Sequence, residues 1–330
     1  MMKSFVRSAV AGAVLFGLVP GVKAETKLIA IDGSSTVYPI TEAVAEEFMK
    51  ANNGLQVTVG ISGTGGGFKK FCRGETDIAD ASRPILQKEM DACLEAGIQY
   101  IELPVAFDAL TVVINPKNTW AETLTVAELK KIWEPAAQGS VTKWSQVRAG
   151  FPDEPLKLYG PGADSGTFDY FTEAINGKSK SSRGDFMASE DDNVLVQGVA
   201  ADVGGLGYFG MAYYEENKDR LKAVGVDNGK GAVKPSVATV ENSTYSPLAR
   251  PIFIYVSKKS LRKPEVREFV NFYLNKGGAL AQEVGYVALP QRAYNAGLAR
   301  LEKGDTGTAF GGKADVNASI DEVLSRSLKK

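Results

Sequence analysis

Residues 27–50 of the chain read KLIAIDGSSTVYPITEAVAEEFMK, which predicts a strand, a polar turn and a helix in succession. KLIAI, at 27–31, is a short apolar strand, and DGSST, at 32–36, is the turn. Apolar residues then recur at spacings of three and four, the period of an amphipathic helix, at Val37, Ile40, Val44 and Phe48. The helix is expected to run to about Lys50, because Asn52-Asn53-Gly54 is a typical helix end.

Two later stretches repeat this pattern of strand, turn and helix. Residues 56–60 alternate like a strand and lead through a loop, SGTGGG at 62–67, into a helix predicted over 68–73. Residues 156–159, LKLY, are a further strand, and the turn GPGADSGT at 160–167 precedes a helix with the apolar stripe Phe168, Phe171 and Ile175. Strands that alternate with helices indicate an α/β fold with largely parallel sheets.

Two extended apolar segments are predicted to cross between domains. They are LPVAFDALTVVINP, at 103–116, and SPLARPIFIYV, at 246–256. A chain of 330 residues, 44% of them hydrophobic, can form two domains with a core in each. We therefore expect a discontinuous first lobe of residues 25–108 and 250–330, with residues 109–249 inserted as a second lobe.

The first 24 residues have the features of an export signal. Lys3 and Arg7 precede a small apolar run at 8–19, and cleavage is expected after Ala24. The run is shorter than the roughly 20 residues that cross a bilayer. Removal of this segment, which has three cations and no acid, changes the formal net charge from −1 to −4. We therefore expect an exported, periplasmic protein, and an acidic molecule is a poor partner for nucleic acid or anionic membranes.

The chain has two cysteines, Cys72 and Cys93, and no histidine. An even cysteine pair in an exported protein favours a disulfide, and two buried thiols are the alternative. Two cysteines without histidine cannot build a typical zinc site. A Ser-His-Asp or Cys-His mechanism is excluded as well, which leaves carboxylate-only chemistry.

The three turns share the composition of an anion site. A helix N-terminus presents unpaired N–H groups and about half a positive charge. Glycine lets a ligand approach the backbone, and serine and threonine add hydroxyl donors. A single such turn is more often a plain helix cap. Three turns that face one cleft would surround a small tetrahedral oxyanion with donors, although the protein itself is acidic.

Four motifs of the chain resemble those of periplasmic phosphate-binding proteins of the PstS family. They are DGSSTVYP at 32–39, GTGGG at 63–67, DIADASRP at 77–84 and DSGT at 164–167. The similarity runs along nearly the whole mature chain and includes the crossing at 246–256. It implies a two-domain periplasmic binding protein fold with a hinge, closing around dehydrated phosphate. It also implies delivery to the membrane permease of an ABC importer, without a cofactor, and we expect a monomer that is not an enzyme.

The resemblance also implies the phosphate ligands. In this chain they are Ser35, Thr36 and Val37 in the first turn, Thr64 and Gly65 in the second, Ser82 and Arg83 after the DIADA run, and Ser165, Gly166 and Thr167 from the second lobe.

This sequence departs from the family at Pro161, where many members have an arginine. We expect Arg83 to supply the guanidinium, with Arg183 as second candidate, and an ion pair is the equally weighted alternative for Arg83. Selection of phosphate over sulfate requires an acceptor for the proton that phosphate keeps near neutral pH. Asp80 and Asp164 are the two unresolved candidates for it.

A further candidate for that acceptor is Asp108, on the predicted crossing strand.

Other interpretations are weaker. A different oxyanion, sulfate or molybdate, would suit the same fold. A secreted metal-dependent phosphatase would need a dense acidic cluster that the sequence does not show. GLGYFG at 205–210 matches a dinucleotide fingerprint by letter only, without a convincing acidic partner, and is predicted to be a strand and turn. The nearby aromatics could line a sugar site, but are expected to pack in a core: Tyr208, Phe209, Tyr213 and Tyr214.

Overall fold

The computed structural model describes residues 27–163, 165–189, 191–313 and 318–330, so the predicted export signal and Asp164 lie outside the described residues. The first strand-turn-helix unit is as predicted. Strand β1 is Lys27–Gly33, and helix α1 is Tyr38–Ala51, with its apolar face buried. Strand β2, Leu55–Ile61, pairs in parallel with β1, and β3, Ile78–Ala81, pairs in parallel on the other side of β1.

Two long strands continue this sheet. Strand β4, Tyr100–Ile114, is buried at every residue, and β12, Ala249–Ser257, is antiparallel to it. The pairing with β12 ends where Ala249 lies opposite Ala109, and from Leu110 onward β4 pairs with β8 instead. A single strand therefore belongs to both halves of the sheet, whose order is β2-β1-β3-β12-β4-β8-β6-β7.

The second half of the sheet is also α/β. Strands β6, Lys157–Pro161, β7, Met187–Ser189, and β8, Gly205–Gly210, are mutually parallel. Helix α5, Gly166–Asn176, follows β6, and α6, Asp192–Ala201, follows β7. The stretch GLGYFG is thus a strand, as predicted. Tyr208 and Phe209 are fully buried, and the Tyr208 ring stacks on Phe171 with the centroids 3.6 Å apart.

The remaining elements cover the two halves of the sheet. The helices are α3 Gln87–Glu95, α4 Val126–Trp133, α7 Met211–Glu216, α8 Val237–Glu241, α9 Pro264–Glu283, α10 Gln291–Lys303 and α11 Ile320–Ser325. The strands are β5 Thr123–Thr125, β9 Lys222–Ala223, β10 Gly225–Asp227, β11 Ala232–Val233 and β13 Val287–Ala288, of which β5, β10 and β11 form a separate small sheet. Among the described helices none is both long and apolar enough to cross a bilayer.

The glycine run at 63–67 is helical, which corrects the sequence-based prediction of a loop. Helix α2 spans Gly63–Cys72 and lies directly against β1. A Cβ on Gly67 would stand 2.6 Å from Cα of Gly33 and 2.8 Å from the carbonyl oxygen of Asp32. Glycine lowers helix propensity, but here its missing side chain permits the close contact between helix and strand. Tertiary packing therefore overrides local propensity at this position.

Cys72 and Cys93 form the predicted disulfide between α2 and α3. Both cysteines are buried, and the bridge lies in a cluster with Phe68, Phe71 and Met90. The bridge fixes α3 to α2, the helix whose N-terminus belongs to the second glycine-rich turn. The sequence separation of 21 residues places its effect in the range of about 3 kcal/mol, since the cross-link restricts the unfolded chain.

We predict that the double substitution Cys72→Ala and Cys93→Ala lowers the free energy of unfolding by about 3 kcal/mol. Urea unfolding of the mature protein at neutral pH measures this. Oxidised and dithiothreitol-treated wild type are the controls, and the reduced wild type should unfold near the midpoint of the variant. Equal midpoints for oxidised wild type and the variant would contradict the prediction.

Candidate functional site

A polar pocket of about 340 Å³ lies where the first turn meets the N-terminus of α5. Its polar lining includes Ser35, Asp108, Ser165, Thr167 and the carboxylate of Asp192 at the start of α6. Tyr38, Tyr213 and Tyr286 also line the pocket. Hydroxyl groups from both halves of the sheet therefore converge on one small space.

The first turn is shaped by its own backbone and by Ser34. The Ser34 carbonyl accepts the N–H groups of Val37 at 3.2 Å and Tyr38 at 3.0 Å, and its hydroxyl oxygen accepts the Thr36 N–H at 3.2 Å. Val37 and Thr36 are thus satisfied within the turn and buried. Ser35 is half-buried in the pocket, and its hydroxyl has no hydrogen-bond partner among the residues described. That hydroxyl is available to a ligand.

The third turn reaches the first across the sheet. Ser165 caps α5 by accepting the Thr167 N–H at 3.2 Å. Gly166 lies so close to the first turn that a Cβ on it would stand 2.9 Å from Cα and Oγ1 of Thr36. Any larger residue at 166 would push the two turns apart, so glycine is required for the pocket to have this size.

The second turn braces the first and is not part of the pocket lining. The Ser62 N–H donates to the Gly33 carbonyl at 3.1 Å, and the Ser62 hydroxyl donates to the Asp32 carboxylate. Lys70 also pairs with Asp32, at 2.6 Å. Thr64 hydrogen-bonds Ser82 through both hydroxyls, at 3.1 Å.

The remaining predicted ligands of this region, Gly65, Ser82 and Thr64, are likewise outside the pocket lining, and their contact with an anion stays a prediction.

Neither predicted arginine lines the pocket. The Arg83 guanidinium makes two hydrogen bonds to the Glu89 carboxylate, at 2.8 and 2.9 Å, the ion pair that was its alternative role. Arg183 is buried and bonded to Asp185 and to the carbonyls of Ile132 and Val141. The Arg83 guanidinium is thus engaged by Glu89, and its role as a phosphate ligand stays a prediction.

Arg250 is the guanidinium that the sequence reasoning missed. It lies on β12 directly opposite Asp108 on β4, with Nε 3.5 Å from Oδ2 of Asp108. Its Cζ stands 3.6 Å from the ring centroid of Tyr170 on α5, and Nη1 is 3.7 Å from the Glu173 carboxylate. The signal in the sequence was an arginine inside a segment expected to be a buried crossing strand.

The Asp108–Arg250 pair is buried but incompletely bonded. Both residues are 4% exposed, and neither Oδ2 of Asp108 nor Nε of Arg250 has a hydrogen-bond partner among the described residues. Burial raises the pKa of Asp108 to about 6, and the charge of Arg250 opposes that rise. The two atoms are 3.5 Å apart, so their attraction offsets only part of the cost of burying both charges.

Asp80 lies behind the first turn. Its backbone carbonyl accepts the Ser34 N–H at 3.0 Å, but its carboxyl is 1% exposed and absent from the pocket lining. Burial raises the pKa of Asp80 to about 7, which the Thr41 hydroxyl counteracts and the charge of Asp32 reinforces. Contact between this carboxyl and an anion stays a prediction, as it does for Asp164.

An α/β fold in two halves, joined by crossing strands around a polar pocket, is the architecture of a solute-binding protein. The family model described as the PBP superfamily domain matches residues 20–276.

Three known proteins show the relationship more closely. Protein SphX of Synechocystis sp. is 58% identical over 299 residues, which cover 90% of this chain and 89% of that protein. Phosphate-binding protein PstS of Staphylococcus saprophyticus is 40% identical over 276 residues, covering 82% and 83%. The crystal structure of a possible phosphate-binding protein from Planctomyces limnophilus is 53% identical, with a TM-score of 0.81 and coverage of 84% and 98%. The chain therefore belongs to the PstS family of the PBP superfamily, and the resemblance noted from the motifs is confirmed.

The buried carboxyl of Asp80 predicts that stability falls as pH rises. The pKa is about 7 in the folded state and about 3.9 in the unfolded chain, so the folded state holds the extra proton between these values. Its stabilisation is present below about pH 4 and is lost as pH rises through 7. Asp80→Asn should therefore raise the free energy of unfolding at pH 8 relative to wild type, by up to about 4 kcal/mol.

Urea unfolding between pH 5 and pH 8 checks this. Asp219→Asn, at an exposed carboxylate, is the matched control and should follow the wild-type curve. The prediction is wrong if Asp80→Asn and wild type lose stability in parallel over this range.

Proposed function

We propose that this protein captures inorganic phosphate in the pocket between its lobes and delivers it to an ABC importer. The observation that carries the proposal is the pocket itself, where Ser35, Ser165 and Thr167 converge on a floor formed by Asp108 with Arg250 behind it. The names of the PstS relative and of the crystal structure support phosphate as the ligand.

Phosphate would lie at the positive ends of two helices. Helix α1 has 14 residues and α5 has 11, long enough for each to present a positive end to the pocket. The Ser35 and Thr167 hydroxyls add direct hydrogen bonds. This arrangement binds a dianion although the mature chain carries a formal charge of −4.

Selectivity would come from Asp108. Near neutral pH this carboxyl is largely ionised and can accept the proton that phosphate retains, whereas fully ionised sulfate offers no proton and meets a repelling charge. Arg250 offsets the cost of burying the carboxylate and fixes its orientation. We thus assign to Asp108 the acceptor role for which Asp80 and Asp164 were the first candidates.

The binding cycle would be a hinge closure. We propose the lobes to be residues 25–108 with 250–330, and residues 109–249. The chain crosses between them in β4 and β12, and the contact of Gly166 with Thr36 would form as the lobes close. The Tyr286 hydroxyl, which donates to the Thr36 carbonyl at 2.7 Å, would hold the first turn in place.

The setting proposed for this cycle is the periplasm, with the mature chain released after Ala24 and acting as a monomer without enzymatic activity or nucleic-acid binding. The family is one of solute-binding proteins, which supports transport over catalysis. Turnover of a chromogenic phosphate ester by the purified chain, lost when Ser35 and Thr167 are replaced, would contradict it.

Calorimetry on phosphate-free mature protein tests the ligand. Phosphate should bind, and an excess of sulfate or molybdate should not displace it. If sulfate or molybdate binds more tightly than phosphate, that oxyanion is the ligand and the proposal of phosphate is wrong.

We predict that Ser35→Ala and Thr167→Ala each weaken phosphate binding by about 1–3 kcal/mol, roughly 5- to 150-fold. Each removes one hydroxyl donor to a charged ligand. Thr58→Ala, an exposed position on β2 away from the pocket, is the control and should bind as wild type does. Unchanged affinity in both pocket variants would argue strongly against the site.

Asp108→Asn should reduce discrimination between phosphate and sulfate. The amide keeps the shape of the carboxyl but can donate to sulfate and no longer repels it, so the ratio of the two affinities should fall by at least about tenfold. Competition calorimetry at pH 8 measures the ratio, with Asp219→Asn as control. If the ratio does not change, Asp108 is not the acceptor.

A further inference from the structure

A second charged pocket lies at the end of the first lobe farthest from the phosphate pocket. Its volume is about 550 Å³. Strand β12 runs from Arg250, opposite Asp108, to Ser257, opposite Tyr100, and the pocket opens just beyond it. Seven residues of strand separate the two sites by roughly 23 Å. A ligand in one would not contact a ligand in the other.

This distal pocket is lined by cations from four separate elements. Two come from the turn after β12 and one from the short 3₁₀ helix beside it, one from the first turn of α9, and one from the end of α10. They are Lys258, Lys259, Arg262, Arg267 and Lys303, against a single carboxylate, Glu302. The lining therefore has a formal charge of +4, from five cations and one acid.

None of these five side chains forms an ion pair or a hydrogen bond within residues 27–163, 165–189, 191–313 and 318–330. Some exposed cations elsewhere in the chain pair with carboxylates, as Lys50 does with Glu47 and Arg292 with Asp321. Like charges that share a pocket without counter-charges repel one another, and a bound anion relieves that repulsion.

The helix dipole and the overall charge of the chain explain little of this cluster of cations. Lys303 is in the last turn of α10, where the helix dipole favours a cation. That argument does not extend to Arg267, which lies in the first turn of α9, where a cation is disfavoured. General basicity of the chain is no explanation either, since the mature protein is acidic.

We propose that the distal pocket binds a chain of linked phosphate groups. A ligand with several negative charges matches a lining of +4, and two arginines with three lysines suit phosphate oxygens by bidentate and point-charge contacts. Inorganic polyphosphate and a nucleoside triphosphate share this chemistry. Among the described residues, those that line this pocket include no aromatic ring on which a base could stack, and this favours the inorganic chain.

The test uses the full mature protein with its cleft saturated by phosphate, so that only the distal pocket is reported. Tripolyphosphate and, separately, ATP are titrated by calorimetry at about 0.15 M salt, where exposed charges are strongly screened. Arg262→Gln with Arg267→Gln removes two cations of the pocket. Lys88→Gln with Lys130→Gln removes two exposed cations on other faces and is the matched control.

Wild type and the control are expected to bind tripolyphosphate with micromolar affinity, and the pocket variant at least about tenfold more weakly. Phosphate affinity of the cleft, measured separately, should be equal in all three proteins, which also shows that they fold. Equal affinity for ATP and tripolyphosphate would indicate that the pocket recognises only the phosphate groups. Tighter binding of ATP would identify a nucleotide as the ligand and contradict the preference for the inorganic chain. Absence of tripolyphosphate binding at this salt, or equal losses in both double variants, would overturn the proposal.

Discussion

The contact between Gly166 and Thr36 is the constraint on which the site depends. A single methyl group at 166 would stand 2.9 Å from the first turn, so the N-termini of α1 and α5 come together only because that group is missing. Their convergence concentrates two positive helix ends on a space of about 340 Å³. The pocket can therefore attract an anion although the net charge of the protein is negative.

The floor of the pocket differs from the helix ends, because its negative charge must be compensated. A buried carboxylate beside an anion site is costly unless a cation and hydrogen bonds accompany it. Arg250 provides the cation across a strand pair, and its stacking on Tyr170 of α5 links this pair to the helix that carries the third turn. The Arg83–Glu89 pair has bidentate geometry and joins the segment after β3 to α3, away from the strand pair that holds Asp108 and Arg250.

The sequence predicted the local elements well and the long-range contacts poorly. The apolar spacings of α1 and α5 gave their positions, because one buried face fixes a helix whatever it packs against. The glycine run of α2 was wrongly predicted to be a loop, because its helical conformation is set by contact with β1 rather than by local propensity. Arg83 was the first candidate because it stands beside a recognisable motif. Arg250 was missed because it meets Asp108 only through the pairing of β12 with β4.

Asp80 and Asp108 are both buried acids, but they differ in their position relative to the pocket. Asp80 and Asp108 both have raised pKa values because burial disfavours their charge, but only Asp108 faces the pocket and has a cation behind it. The charge of nearby Asp32 raises the pKa of Asp80 further. Its carbonyl nevertheless fixes Ser34 at the base of the first turn. The backbone of one acid therefore shapes the site, while the side chain of the other lines it and is the one proposed to select the anion.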